Sequence, residues 1–383
     1  MELGLWPPGR ALSIARRLRE TEKQARLLSL VLGTGEWDQN RRHEAQQLAL
    51  QAAQAIQGEE YRAKALAALA PQLAGAAREE ALQQGLEAAL AIQGEEYRAK
   101  ALVALAPQLS GPLLQQGIQA ALAIKGRGYQ AKALAALAPQ LAGAVKDVAL
   151  RQGLQAALTI RDEGYQASAL ATLAPQLAGA AREEALRQGL QAALAIEDEG
   201  HRARALAALA PQLSGPLLQQ GLQAALAIQD EWGRASALAA LAPQLAGAAR
   251  EEALQQGLQA TLAIEDEWGR VSALAALAPQ LAGAAREEAL QQGLQSALAI
   301  QDERTRTRVL AKVVPLIASQ PEPLKLVCTS LVEACLFLQA KQRRDLLDFL
   351  ATPNLFVPAL VPPEATAAIA RHIAEICGEW QWE

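Results

Sequence analysis

The sequence contains few of the residues from which catalytic and metal sites are built. Its 383 residues include three histidines and three cysteines, and His43, His201 and His372 are widely separated. No HExxH, paired CxxC, GxGxxG or GxxxxGK[ST] motif occurs in it. We therefore expect a protein that is not an enzyme and that holds no cofactor or metal.

The three cysteines also exclude a disulfide framework, because they are an odd number confined to the C-terminal part of a long chain. Cys328 and Cys335 are seven residues apart, so they share one face of a predicted helix and are expected in its core. Cys377 and His372 are five residues apart and fall on different faces, which argues against a nucleophile–base pair. This cysteine usage predicts a reducing, cytoplasmic environment.

A strong net charge and long hydrophobic runs are missing as well. The 36 basic and 40 acidic residues give a net charge of −4, so no overall positive field attracts nucleic acid. The apolar run 27–32 is too short to cross a bilayer, and the N-terminal sequence MELGLWPPGR does not resemble a signal peptide. We expect a soluble protein whose partner is neither nucleic acid nor a membrane.

Aromatic residues form only 3% of the sequence although 51% of it is hydrophobic. Alanine and leucine supply most of the apolar side chains, which favours closely packed helices over sheets. The segment ALAALAPQL, or a close variant, recurs with its prolines 36, 32, 36, 36, 32, 36 and 36 residues apart. These prolines are Pro71, Pro107, Pro139, Pro175, Pro211, Pro243, Pro279 and, in a decayed copy, Pro315.

Each repeat predicts two amphipathic helices, one before and one after the turn that follows the proline. Leucines at helical spacing mark them, as at Leu66, Leu69 and Leu73 and then at Leu82, Leu86 and Leu90. The proline should kink or end the first helix. In the turn, Gly75 allows the chain to reverse, and Glu79 and Glu80 suit the start of the second helix. A glycine inside the second helix, such as Gly85, predicts a close approach of neighbouring helices.

In two repeats GAAREEALQQG is shortened to GPLLQQG, a loss of four residues. Four residues are about one helical turn, so the second helix becomes shorter while its buried face nearly keeps its direction. Ser110 and Ser214 are candidate helix caps in these repeats, and Pro112 and Pro216 occupy a first-turn position that proline tolerates.

The predicted fold is all-α, a right-handed solenoid of about nine tandem antiparallel helix pairs. An N-terminal extension occupies 1–20 and a degenerate first repeat 21–57. The regular repeats of 36 or 32 residues occupy 58–315, and a divergent C-terminal helical cap occupies 316–383. The cap is expected to close the apolar end of the array.

Segment 62–70 resembles the first helix of a tetratricopeptide repeat, and segment 79–92 resembles the second. The usual step is 36 residues rather than roughly 34, and the proline is an addition to the common pattern. The ALAALAPQL array is also similar to the repeat tails of bacterial conflict and signalling proteins, which follow NTPase or caspase-like peptidase domains. Segment 369–380 is similar to the tryptophan-bearing closing helix of some of those arrays. The resemblance implies that the first helices line a concave groove.

A basic column on the first helices is, by that resemblance, the candidate binding stripe. Its members precede each proline by seven or nine residues, and serine replaces the residue at minus seven in three repeats. They are Arg62, Lys64, Arg98, Lys100, Lys132, Arg202, Arg204, Arg234 and Arg270. The alternative is a solubilising surface without a ligand.

A ring stands at the entry to most first helices, namely Tyr61, Tyr97, Tyr129, Tyr165, His201, Trp232 and Trp268. These rings are expected to pack on the adjacent helix and hold the turn between repeats. The alternative is a row of rings that grips a peptide. Acidic clusters at the same turns, such as 197–199, suit helix starts, or else form an acidic edge for basic partners.

The leading hypothesis is a non-enzymatic scaffold or sensor that binds a protein or peptide in the concave face of the array. A second hypothesis, from the resemblance, is the recognition subunit of a bacterial defence or signalling complex whose ATPase or protease is a separate chain. A helical-repeat enzyme or lyase is the third, and it would require a polar cluster in the C-terminal segment that the sequence does not show. The sequence makes no prediction of the oligomeric state.

Overall fold

Seventeen α-helices and seven short 3-10 turns make up the described part of the chain. The computed structural model describes residues 8–33, 37–302, 305, 306 and 309. The helices are α1 Pro8–Arg17, α2 Thr21–Leu32, α3 Gln39–Gln54, α4 Glu59–Leu69, α5 Gly75–Ala91, α6 Glu95–Leu105, α7 Gly111–Leu122, α8 Arg127–Leu137, α9 Gly143–Leu158, α10 Glu163–Leu173, α11 Gly179–Ala195, α12 Glu199–Leu209, α13 Gly215–Leu226, α14 Glu231–Leu241, α15 Gly247–Ala263, α16 Glu267–Leu277 and α17 Gly283–Ala299. The 3-10 turns are Ala70–Gln72, Ala106–Gln108, Ala138–Gln140, Ala174–Gln176, Ala210–Gln212, Ala242–Gln244 and Ala278–Gln280.

The predicted extension 1–20 contains α1, and the predicted degenerate repeat 21–57 contains α2 and α3. The predicted C-terminal cap 316–383 lies outside the described residues, together with Pro315, the three cysteines and His372.

The regular helices form tandem antiparallel pairs, which confirms the all-α repeat array. The described helices divide into two compact units, α1–α11 and α12–α17. Within each unit a first helix packs on the second helix of its own pair and on the first helix of the next pair. Alanine and leucine fill the core, and Leu66 and Leu102 are completely buried. The right-handed sense of the solenoid stays a prediction.

Each LAPQL proline ends a first helix, as the sequence predicted. Helix α4 ends at Leu69, and Ala70–Gln72 continues as a 3-10 turn with Pro71 among its first residues. The α-helix cannot continue because proline has no N–H to donate and its ring crowds the carbonyl four residues back.

The carbonyl that the proline leaves without its helical donor is bound by the next pair. Pro71 cannot donate to Ala67 O, and Gln108 Nε2 donates to this oxygen instead, at 2.8 Å. In the second unit Gln280 Nε2 donates to Ala239 O at the same distance of 2.8 Å. In both places the glutamine of one APQL segment binds the carbonyl that the proline of the preceding segment leaves without a donor, and the two prolines are 36 residues apart.

The glycine inside the second helix marks a close approach, which confirms its predicted role. A Cβ on Gly85 would lie 3.0 Å from Leu105 Cδ2 and 3.4 Å from Leu66 Cβ. Leu66 belongs to the first helix of the same pair and Leu105 to that of the next. Glycine at this position lets one second helix contact both.

The second helices begin earlier than the sequence suggested. Helix α5 begins at Gly75 itself, so the predicted acidic first turn is wrong, and Glu79 and Glu80 are its fifth and sixth residues. Gly75 has φ +53°, in the left-handed region that glycine adopts without strain. The equivalent glycines with positive φ are Gly111, Gly143, Gly179, Gly215, Gly247 and Gly283.

The two shortened repeats have shorter second helices, as predicted. Helices α7 and α13 have 12 residues each, whereas α5 has 17. Pro112 lies in the first turn of α7, as expected. Ser110 stands at the cap position, but its side chain makes no capping hydrogen bond, so its predicted capping role is wrong.

A carboxylate closes the turn after each short pair. Glu95, the first residue of α6, accepts hydrogen bonds from the N–H groups of Lys125 at 3.0 Å and Gly126 at 2.8 Å. Glu199, the first residue of α12, accepts from the N–H groups of residues 229–230 at 2.9 and 2.7 Å. The bonds from Lys125 and Gly126 hold the pKa of Glu95 below its ordinary value.

Removing Gln108 should leave the Ala67 carbonyl buried without a donor. We expect Gln108→Ala to lower the free energy of unfolding by about 1–2 kcal/mol, measured by urea unfolding followed by circular dichroism. Gln140 holds the equivalent place after a 32-residue step and is exposed, so Gln140→Ala is the matched control. In a Pro71→Ala background the helix regains a donor, so Gln108→Ala should be less destabilising there. Equal effects in both backgrounds would contradict the compensation.

Glu95 should make the stability of its turn depend on pH. Because its pKa is lowered from 4.5 in the folded chain, ionised Glu95 stabilises the fold above pH 4.5, and this contribution disappears as the pH falls through the folded pKa. We expect Glu95→Gln to lower the thermal midpoint at neutral pH, by an amount that shrinks as the pH falls below 4.5. Glu87→Gln, an exposed change on α5, is the control. A midpoint difference that does not change with pH would argue against this role.

Candidate binding surface on the first helices

Four arginines of the predicted stripe bind the backbone at the end of the preceding second helix. Arg98 donates from Nε and Nη2 to Ile92 O, at 3.0 and 2.7 Å. Ile92 directly follows α5, so the guanidinium binds a carbonyl that the end of the helix leaves without a donor. The equivalent bonds run from Arg62 to Ile56 O at 3.2 Å, from Arg234 to Ile228 O at 2.8 Å and from Arg270 to Ile264 O at 2.6 Å.

Gln130, Gln166 and Arg202 occupy the other places in this column, and Gln166 Nε2 donates to Leu158 O at 3.2 Å. Gln130 Nε2 donates to Leu122 O at 2.8 Å, also at the end of a second helix. Arg202 forms an ion pair with Glu199 at 3.1 Å, and only 22% of its side chain is exposed. The residues nine before the proline thus serve the junctions between helices.

The residues seven before the proline face solvent more. Lys64 and Lys100 are exposed, and each forms an ion pair one turn back, with Glu60 and Glu96, at 2.6 Å. The hydrogen bond to Glu96 raises the pKa of Lys100. Arg204 is exposed as well, and Lys132 is half-buried. Binding by these four side chains stays a prediction.

The rings at the entries to the first helices are more exposed than expected. The exposed fractions are 52% for Tyr61, 47% for Tyr97, 58% for Tyr165 and 41% for Trp268. The expected packing is found at Trp232, which packs on Ala235, Ala260, Ile264 and Ala273. It is found also at Tyr129, which packs on the core and donates to Glu96 Oε2 at 3.2 Å.

The exposed tyrosines in the early pairs rest one side of the ring on a glycine. A Cβ on Gly58 would lie 3.0 Å from Tyr61 Cδ2, and a Cβ on Gly94 would lie 3.0 Å from Tyr97 Cδ2. Lys64 Nζ is 6.0 Å from the centre of the Tyr61 ring, and Lys100 Nζ is 5.4 Å from the centre of the Tyr97 ring. Each ring is therefore supported by a glycine and by a lysine ammonium group, while about half of its surface stays exposed to solvent.

In the later pairs an aspartate caps the first helix at the glycine position. Asp162 Oδ1 accepts from the N–H of Tyr165 at 2.8 Å. Asp198 Oδ1 accepts from the N–H of His201 at 2.7 Å and contacts its Nδ1 at 2.6 Å, and these two bonds lower the pKa of Asp198. Asp230 and Asp266 are equivalent caps. The interpretation of the acidic clusters as helix starts is confirmed at these aspartates.

Ring and cation share one side of each first helix. Tyr61, Lys64 and Ala68 are spaced by three and four residues and are all exposed, which places them on one face. Tyr97, Lys100 and Ala104 repeat this arrangement on α6. We call the exposed rings and cations of the first helices the first-helix surface; it comprises Tyr61, Lys64, Tyr97, Lys100 and Tyr165 in one unit and, separately, Arg204 and Trp268 in the other.

Metal-binding clusters and membrane-spanning helices are both missing among the described residues. These residues hold no group of three or more His, Cys, Asp and Glu side chains placed to bind a metal ion. Among the described helices, none combines the length and the apolar character that crossing a membrane requires.

The two kinds of basic residue should differ in their effect on stability. Arg98→Met keeps the aliphatic stem but removes the donors to Ile92 O, and we expect it to lower the free energy of unfolding by about 1–2 kcal/mol. Lys100→Met loses only an exposed ion pair and should change the free energy of unfolding much less than Arg98→Met does. Thermal and urea unfolding measure both, and equal effects would show that Arg98 has no special structural role.

Comparisons with known proteins give only distant structural likeness. No family model and no curated protein matches the chain. Among solved structures it is similar to Ton1535 from Thermococcus onnurineus NA1, with 12% identity over 90% of this chain and 95% of that chain and a TM-score of 0.30. It is also similar to a circular tandem repeat protein with novel repeat topology and enhanced subunit contact surfaces, with 15% identity over 96% of this chain and 80% of that chain and a TM-score of 0.17. Superposition at this level supports no conclusion about function.

Proposed function

We propose that the chain is a non-enzymatic scaffold or sensor that binds a protein or peptide on the first-helix surface. The observation that carries the proposal is the set of aromatic rings that stay 41–58% exposed at the entries to the first helices. Aromatic side chains supply much of the binding energy in protein interfaces, and two-sided support reduces the entropy lost when they bind. The chain would act in the cytoplasm.

The packing of the layers supports the choice of face. Within each unit, consecutive first helices pack on one another more extensively than consecutive second helices do. The layer with the closer neighbours lies on the inner side of a curved array, as the first helices do in tetratricopeptide proteins, which this chain resembles. We therefore propose that the first-helix surface lines a concave groove within each unit.

The spacing of the rings suggests the form of the ligand. Packed helices lie about 8–10 Å apart, so rings on consecutive first helices should be separated by about that distance. An extended peptide covers about 3.3 Å per residue, and about three residues span one step. We propose an extended segment that places an apolar side chain at about every third residue. Lys64 and Lys100 are already paired with glutamates, so they add less to the binding energy than the rings.

The recognition-subunit hypothesis and the enzyme hypothesis stay predictions, since no described residue favours either of them over a scaffold. They differ from the leading proposal in what accompanies binding: a separate effector chain in one case, and turnover in the other.

Replacing the rings should weaken peptide binding strongly without unfolding the array. Peptides selected from a displayed random library on the wild-type chain should bind the triple variant Tyr61→Ser, Tyr97→Ser, Tyr165→Ser about 100-fold more weakly, at about 1 kcal/mol per ring. Titration by fluorescence anisotropy gives the affinities, and circular dichroism checks the fold.

Leu90→Ser is the matched control, because Leu90 is 42% exposed but lies on a second helix. It should leave the affinity unchanged. Selected peptides that bind the triple variant as tightly as the wild type would overturn the proposal, and so would a selection that yields no binder.

A further inference from the structure

One repeat differs from the others in charge. Residues 125–161 contain six basic residues and one acidic residue, in a chain whose net charge is −4. The basic residues are Lys125, Arg127, Lys132, Lys146, Arg151 and Arg161, and the acidic residue is Asp147. The neighbouring segment 94–124 has two of each, and segment 162–196 has two basic and four acidic residues. A local positive region therefore stands between segments that are neutral or acidic.

The second helix of this repeat, α9, also exposes two valines. Val145 is 57% exposed and Val148 is 46% exposed, and a spacing of three residues puts them on one side of the helix. The other long second helices of the regular repeats have alanine at the position equivalent to Val145 and glutamate at the position equivalent to Val148. These glutamates are Glu80, Glu184, Glu252 and Glu288. Among these described helices, only α9 replaces the glutamate with an apolar side chain.

A cavity of about 360 Å³ lies beside the C-terminal half of α9. It is lined by Leu122, Arg127, Gln130, Gln152, Gln155, Ala156 and Thr159, and none of these is acidic. Gln130 is only 7% exposed, and its Oε1 accepts from Arg127 Nη1 at 3.3 Å. This bond orients the guanidinium at the wall of the cavity.

The valines and the cavity form one continuous surface. Gln152 and Gln155 follow Val148 by four and seven residues, so they extend the same side of α9 over about 10 Å. Arg151 is one turn beyond Val148 on that side, and its Nε donates to Asp147 O at 3.2 Å.

The cations of this surface form no ion pairs within the described part of the chain. Arg127, Lys146 and Arg151 take part in none of the ion pairs among the described residues. At the equivalent place in α11, by contrast, Arg187 is neutralised by Glu184.

We propose that this region, the α9 surface, binds an acidic peptide segment of a partner protein. It comprises Val145, Val148, Arg151 and the cavity. An apolar side chain of the peptide packs on the two valines, one carboxylate enters the cavity to bind Arg127, and a second binds near Arg151. The valines and Arg151 lie on the second helix α9, and Arg127 begins α8 but is not part of the first-helix surface, so the site is separate from that surface and goes beyond the function proposed above.

The composition of the surface favours a peptide over nucleic acid. A phosphate backbone is held by a row of cations that continues along the strand, and bases stack on exposed rings. The positive region is limited to one repeat, and its one aromatic residue, Tyr129, has its hydroxyl bonded to Glu96. Apolar contact beside cations without carboxylate partners suits a segment that mixes carboxylates with apolar side chains.

The test uses the whole chain and a dye-labelled synthetic peptide in which single leucines alternate with pairs of glutamates. Fluorescence anisotropy should show saturable binding to the wild type. Val148→Glu installs the residue that the equivalent positions already carry, so the fold tolerates it, and it should weaken binding at least about tenfold. Arg127→Gln and Arg151→Gln should each weaken binding by several-fold.

Arg187→Gln is the matched control, since it makes the same charge change at the equivalent place in α11 and should leave binding unchanged. The triple tyrosine variant should also bind this peptide normally, which separates a failure here from a failure of the first-helix surface. Hydrogen exchange should show protection by the peptide within 122–130 and 143–161 only.

Four results would overturn the inference: no saturable binding to the wild type, equal binding by Val148→Glu, equal binding of a peptide with glutamine in place of glutamate, or tighter binding of a single-stranded oligonucleotide. Without saturable binding there is no peptide site. Equal binding by Val148→Glu would exclude the apolar contact, and equal binding of the glutamine peptide would exclude recognition of carboxylates. Tighter binding of the oligonucleotide would assign the surface to nucleic acid.

Discussion

Where consecutive prolines are 36 residues apart, a hydrogen bond can link one helix pair to the next, as it does at two described joints. Each proline ends a first helix and leaves a carbonyl without its helical donor. A glutamine side chain from the following pair can bind that carbonyl, as Gln108 binds Ala67 O and Gln280 binds Ala239 O. Neither residue would be favourable alone, since the proline would strand a buried acceptor and the glutamine would bury an amide. Together they make the end of a first helix depend on the presence of a neighbour, and repeat proteins owe their nearest-neighbour stability to interfaces of this kind.

The same principle governs the residues nine before the proline. Arg98 and its equivalents bind carbonyls of residues just after the preceding second helix, so the polar residues that recur most regularly serve the joints between pairs. What remains for recognition is the part of the sequence that changes from repeat to repeat. On the first helices this part is the column of rings and cations, and on the second helices it is the valines and basic side chains of α9.

Much of the fold could be predicted from the sequence, because the period, the prolines and the helix-interior glycines act locally. The candidate site was predicted less well. The predicted stripe contains both Arg62 and Lys64, because both are basic and lie on one helix. Residues two apart on a helix do not share a face, so helix geometry is enough to show that these two side chains point in different directions. The exposure of Tyr61 and Tyr97 depends on which side of the turn the ring occupies, and that follows from packing rather than from pattern. The basic repeat was hidden by the net charge of the whole chain, although counting charges repeat by repeat would have found it.

The two short second helices give the array two kinds of joint. After α7 and after α13 the step is 32 residues, the glutamines Gln140 and Gln244 are exposed, and carboxylates of Glu95 and Glu199 hold the next turn instead. A glutamine side chain that links two helix pairs does not take up a proton in acid, whereas a glutamate side chain does and loses its charge. Because its two backbone hydrogen bonds lower the pKa of Glu95, acidification removes stability at the turn after α7 and leaves the glutamine-linked joints unaffected, so a uniform-looking repeat contains joints of separable strength.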